Sequence, residues 1–165
     1  MNNEVEGIIL NEDGPRTLPD KIFNAIGKDI VGSYKWRIHD VEQFGILDDL
    51  EDPDKIFDGK VLVKRIEEDP GAQWVWGYFQ AFPKDTPDEK ILEEPVIDLE
   101  DMDFIKQFYT LPVHLVSNYS VLEIECTDSS DTIVRTADEE ILSKLKEQYP
   151  KWESFEEWHN KNGII

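Results

Sequence analysis

Carboxylates are the one reactive group that this chain supplies in excess: 37 aspartates and glutamates stand against 17 lysines and arginines, with three histidines and one cysteine. Two carboxylates at a suitable separation perform general acid–base or glycoside chemistry, and clustered oxygens hold a divalent cation. With so many acids, residue type alone singles out no pair. Asp48-Asp49-Leu50-Glu51-Asp52-Pro53-Asp54 and Asp128-Ser129-Ser130-Asp131 are rich in oxygen ligands. Neither fits the calcium loop that needs a sixth-position glycine and a final glutamate. Cys126 alternates with Leu122 and Ile124, the pattern of a buried thiol, whereas a nucleophile needs a basic neighbour. His39, His114 and His159 are too widely separated for a zinc motif. No Gly-x-x-x-x-Gly-Lys loop and no Gly-x-Ser-x-Gly elbow occurs. The expectation is no catalytic residue, no metal and no cofactor.

What stands out is how the acids are distributed. Asp40–Asp58 carries Asp40, Glu42, Asp48, Asp49, Glu51, Asp52, Asp54 and Asp58 against Lys55 alone. Asp85–Asp103 carries nine acids against Lys90. Concentrated like charge destabilises a compact state, so such stretches serve either solubility or attraction of a cationic partner. Phe44, Ile46, Leu47, Ile56 and Phe57 punctuate the first stretch and are expected to tether it to the body. On this reading Asp48, Asp49, Glu51, Asp52 and Asp54 supply a negative field, helped by Glu93 and Glu94. Trp76 and Tyr78 are candidate anchors, being of the residue types that dominate interface energetics.

The elements that must position these residues are legible from period and punctuation. A strand is expected over Glu4–Leu10, with a turn at Asn11–Pro15. Pro19 opens a short helix to Ile26, which Gly27 closes. Tyr34, Trp36 and Ile38 alternate with Lys35, Arg37 and His39, predicting a half-buried strand with a basic outer face. Asp58 is placed to cap a helix over Lys60–Glu68, with a strand as the alternative. Gln73–Phe82 is the clearest strand: Trp74, Trp76, Tyr78 and Phe82 fall on one face, and Val75, Gly77, Phe79 and Ala81 on the other. Leu99–Tyr109 reads as a helix, Val113–Val116 and Ser120–Thr127 as strands, and Ile133-Val134 as a short strand. Thr136-Ala137-Asp138-Glu139 and Ser154-Phe155-Glu156-Glu157 have the spacing of capping boxes for two last helices, the second ended by Gly163. The sum is one α+β domain over residues 1–165, a mainly antiparallel sheet of about five to six strands with helices packed on one or both faces.

A net charge of -20 argues against direct nucleic-acid binding and against anionic membranes. No apolar run approaches the roughly 20 residues of a membrane span, and Met1-Asn2-Asn3-Glu4 is no secretory leader. A single cysteine suits a reducing compartment, so a cytoplasmic location is expected. The run Gln73-Trp74-Val75-Trp76-Gly77-Tyr78-Phe79-Gln80-Ala81-Phe82-Pro83, with Tyr34-Lys35-Trp36-Arg37-Ile38, resembles small bacterial α+β proteins of unassigned function, many of which are similar to toxin-neutralising immunity proteins. That resemblance implies a cytosolic, non-catalytic inhibitor whose partner is a basic protein, possibly a cognate toxin. Three alternatives stay open: a nucleic-acid-mimicking inhibitor of a DNA-binding protein, a carboxylate-based hydrolase with or without a metal, and an accessory or structural protein. Nothing in the residues fixes the oligomeric state.

Overall fold

The computed structural model describes residues 4–11, 14 and 17–162. The turn expected at Asn11–Pro15 lies largely outside them, as does the Gly163 stop. Strands β1 (Glu6–Ile9), β2 (Tyr34–Gln43), β3 (Ile56–Asp58), β4 (Trp74–Pro83), β5 (Leu122–Thr127), β6 (Asp131–Thr136) and β7 (Glu153–Ser154) form one antiparallel sheet of order β3-β2-β4-β5-β6-β1-β7. The α+β class holds. The seven strands exceed the expected five to six because β3 and β7 are edge strands of three and two residues. Strands that short leave almost no alternation to read.

Helices α1 (Pro19–Ile26), α2 (Lys28–Gly32), α3 (Gly59–Glu67) and α6 (Glu139–Gln148) cover one face. There Ile22, Phe23, Leu62, Ile66, Ile141 and Leu145 meet Trp36, Ile38, Phe79, Leu122, Ile124 and Val134 from the strands. Large side chains buried this completely contribute about 1.5–3 kcal/mol each, which makes this layer the main source of stability. As expected, Asp58 caps α3, its Oδ1 accepting from the Lys60 N–H at 2.9 Å. The cap of α6 is Asp138, which accepts from Glu140 N and Ile141 N. Thr136, the expected cap, instead donates its hydroxyl to Val121 O and accepts from Asp138 N.

The other face is covered by α4 (Asp88–Glu93), α5 (Met102–Phe108), α7 (Phe155–Asn162) and the irregular chain between them. Four expectations need correcting here. Trp74 does not share a face with Trp76 and Tyr78; it packs on Phe79 at a ring-centroid distance of 4.7 Å, in the apolar layer. The cause is an irregularity: Asp40 has φ 48, and the β2–β4 register shifts between His39 and Gln43, breaking the alternation opposite Trp74. Gly77 admits the returning ring, since a Cβ there would lie 2.5 Å from Trp74 Cε3. Second, the predicted basic outer face is covered: Arg37 and His39 are buried, while Lys35 reaches Asp88 at 2.5 Å. Third, Val113–Val116 is not a strand, because the Val116 and Ser117 amides are taken by the Glu123 carboxylate at 2.9 and 3.0 Å. Fourth, α5 starts at Met102 and not Leu99, whose amide is held by Asp40 Oδ2 at 2.7 Å.

Candidate functional site

Residues directly opposed in an antiparallel pair share a face. The register therefore lines up Arg37, Gln80, Glu123 and Arg135 across four adjacent strands, with His39, Tyr78, Glu125 and Ile133 in the next row. Every polar member of these rows is buried. Burying charge is costly unless each group is paired or hydrogen-bonded. Glu123 accepts five hydrogen bonds: from Tyr78 Oη at 2.6 Å, Gln80 Nε2 at 3.1 Å, Ser120 Oγ at 2.8 Å, and the Val116 and Ser117 amides. Glu125 accepts from Tyr109 Oη at 2.7 Å and Thr127 Oγ1 at 2.9 Å. Its other oxygen has no hydrogen-bond donor and lies 3.8 Å from Arg135 Nη1. Burial pushes the Glu125 carboxyl above its ordinary pKa, and the Arg135 charge opposes that push. Arg135 stacks on Phe108 at 3.3 Å and donates to Phe108 O at 3.1 Å, which fastens α5 to the sheet.

Two side chains of β2 hold the acidic stretches. Arg37 donates from Nε to Pro53 O at 2.7 Å, and from Nη1 to Ile91 O at 2.9 Å and Glu94 O at 3.0 Å. One guanidinium thus ties both stretches to the same strand. Burial lowers its pKa, with the Asp54 and Glu94 charges acting the other way. All three acceptors are main-chain carbonyls, so the carboxylates of Asp52, Asp54 and Glu93 are left exposed at the surface. His39 accepts from the Ile97 amide at Nδ1, 3.1 Å away, which leaves Nε2 to carry the ring proton and donate to Gln80 Oε1 at 2.9 Å. Burial drives the His39 pKa down to about 4, so the ring is neutral at pH 7.

The sequence-derived site residues fare differently. Asp48, Glu51, Asp52 and Asp54 are exposed, and Asp52 Oδ1 accepts from the Asp54 amide at 2.9 Å. Asp49 is paired with Arg65, whose hydrogen bonds hold the carboxyl below its ordinary range. Glu93 pairs with Lys90 at 2.9 Å. Glu94 is half-buried and accepts from Ser117 Oγ and, at 2.7 Å, from the Asn118 amide. Trp76 is half-buried in the cluster around α5. Tyr78 is fully buried with its hydroxyl committed to Glu123, so it offers no surface and is no anchor.

Next to Glu94 an open cleft of about 360 Å³ is walled by Glu94, Asp98, Asp101 and Asp103, with Phe104, Val116 and Gln80 also lining it. No lysine, arginine or histidine contributes to its lining. A lining that mixes apolar side chains with carboxylates suits a long cationic side chain, whose methylenes and charged tip need different surroundings. Asp98, Asp101, Asp103 and Phe104 were not singled out from the sequence. Only the fold over His39 and Asp40 brings them beside Glu94. Among the described residues no group of three or more His, Cys, Asp or Glu is placed to hold a metal ion. No helix among them is long and apolar enough to cross a membrane. No protein-family model, curated protein or solved structure matches the chain.

Proposed function

We propose that this chain is a non-catalytic binding protein that captures a basic protein on its acidic edge, in the manner of a toxin inhibitor. The observation that carries the reading is the Arg37 clasp. It brings Pro53, Ile91 and Glu94 to one guanidinium while consuming only main-chain carbonyls, and the charges of Asp54 and Glu94, one from each stretch, both act on that guanidinium. The neighbouring cleft adds Asp98, Asp101 and Asp103 to the same negative region. Gathered carboxylates attract a cationic partner at long range and penalise acidic competitors. The net charge of -20 and the resemblance of the aromatic strands to immunity proteins point toward basic toxins, whose active-site clefts such an edge would obstruct. Glu123 and Glu125, the only carboxylates held in a dry environment in the rows, are sealed from substrate and organise the cover instead.

The test is a salt titration of affinity against polylysine, a histone and a basic ribonuclease, with the native chain and with Asp52→Asn, Asp54→Asn, Asp98→Asn and Asp101→Asn combined. Asparagine retains the local acceptor role while removing charge. Affinity for at least one basic protein should fall about tenfold or more and lose much of its salt dependence. Equal affinity and equal salt slope for the two chains would reject the acidic edge.

A further inference from the structure

The loop that leaves β2 exposes two large apolar side chains one residue apart. Phe44 is 74% and Ile46 72% exposed, the two highest values among the exposed large hydrophobics. Scattered apolar residues on a surface are ordinary, but two adjacent ones held outward by a fixed backbone are not. The backbone here is fixed from both sides. The Phe44 amide donates to Gln73 O at 2.9 Å, and the Ile46 amide donates to Asp69 Oδ2 at 3.1 Å. Gly45 between them fits closely into the turn, since a Cβ would meet Asp69 Oδ2 at 2.5 Å and Ala72 Cβ at 3.2 Å. The next residue, Leu47, is buried, which anchors the far side of the tip. Neither Phe44 nor Ile46 packs in the core, yet two backbone hydrogen bonds and the buried Leu47 hold the loop so that both side chains stay in the solvent.

Charge identifies what covers them. Glu42 precedes the pair and Asp48 follows it, both exposed, while Asp69 supports it and Asp49 is already taken by Arg65; no lysine or arginine lies between Asp40 and Pro53 in the chain. We propose that Phe44 and Ile46 form an apolar anchor at the far end of the loop whose Pro53 carbonyl Arg37 holds, and that the occupant is a cationic amphipathic segment of a protein, with apolar residues seated on the pair and lysines or arginines on the exposed carboxylates of that loop. This rests on the acidic-edge reading above and adds the apolar half of the recognition. A pre-ordered anchor of this kind gains affinity because little conformational freedom remains to be lost on binding. It also separates true partners from generic polycations, which satisfy the carboxylates and leave the two side chains in water.

The probes are a helical Leu/Lys peptide and an oligolysine of equal net charge, titrated against the full chain at low salt. The Leu/Lys peptide should bind about tenfold or more tightly than oligolysine, a ratio within reach of two buried anchor residues. Phe44→Ser combined with Ile46→Ser should abolish that excess, leaving oligolysine affinity and the thermal midpoint unchanged because neither side chain packs in the core. Equal binding of the two peptides, or an excess that survives the double substitution, would overturn the anchor while leaving the acidic edge standing. Binding of the Leu/Lys peptide alone, lost on the double substitution, would support the anchor and count against the acidic edge. Binding of neither peptide would overturn both.

Discussion

Protonation of His39 turns its Nδ1 from an acceptor into a donor pointed at the Ile97 amide, which is itself a donor. The relay from Ile97 through His39 and Gln80 to Glu123 then loses its first link. With the folded-state pKa at about 4 against about 6.5 in the unfolded chain, the unfolded state binds more protons between those values. Stability from this site is therefore complete above pH 6.5 and declines as pH falls towards 4, by about 3 kcal/mol in total. Urea midpoints of the native chain and of His39→Gln, compared between pH 7 and pH 4.5, should show the steeper decline in the native chain. Parallel pH profiles would remove His39 from the account. The comparison is needed because protonating surface carboxylates relieves repulsion over part of the same range. His39 also shows why the sequence misleads at this scale. Alternation correctly sets Arg37 and His39 on the face opposite Trp36 and Ile38, but whether that face is wet depends on residues 88–121, far along the chain.

At the scale of elements, β2 is the strand from which the cover hangs. Arg37 holds the loop before β3 and the end of α4, while His39 and Asp40 hold Ile97 and Leu99 in the segment before α5. Arg37→Met keeps much of the side-chain length and deletes three hydrogen bonds from a charged donor. The expected cost is roughly 2–4 kcal/mol, with three carbonyls left poorly satisfied. Amide hydrogen exchange should accelerate in residues 88–101 ahead of α1 and α6. Uniform acceleration throughout the chain would mean that Arg37 serves overall stability and does not specifically clasp the acidic stretches. Elements with a regular period were legible: α1, α3, β4, β5 and α6 all lie where their patterns place them, within a residue or two. Those that failed were decided by a side chain from elsewhere, as Glu123 claims the amides of Val116 and Ser117 and Asp40 that of Leu99. The candidate site was legible as two acidic stretches but their common tie was not, because the guanidinium that binds carbonyls of both looked like part of an exposed face.

Over the whole molecule, a charge of -20 on 165 residues works against compaction. Raising sodium chloride from 0.1 M to 1 M shortens the Debye length from about 10 Å to about 3 Å and screens that repulsion. The thermal midpoint should rise with salt, by roughly 2–4 °C for each 1 kcal/mol of repulsion relieved. A midpoint that is flat or falls with salt would show that surface ion pairs such as Lys35–Asp88 and Lys90–Glu93 already balance the field. The margins of the sheet limit how any partner is met. An incoming segment that tried to add itself as an eighth strand would find three residues of β3 on one side and two of β7 on the other, while the open remainder of β2 is bent out of register at Asp40. Main-chain pairing, the least discriminating form of peptide capture, is thereby closed off at both margins. Whatever docks must be chosen by its side chains.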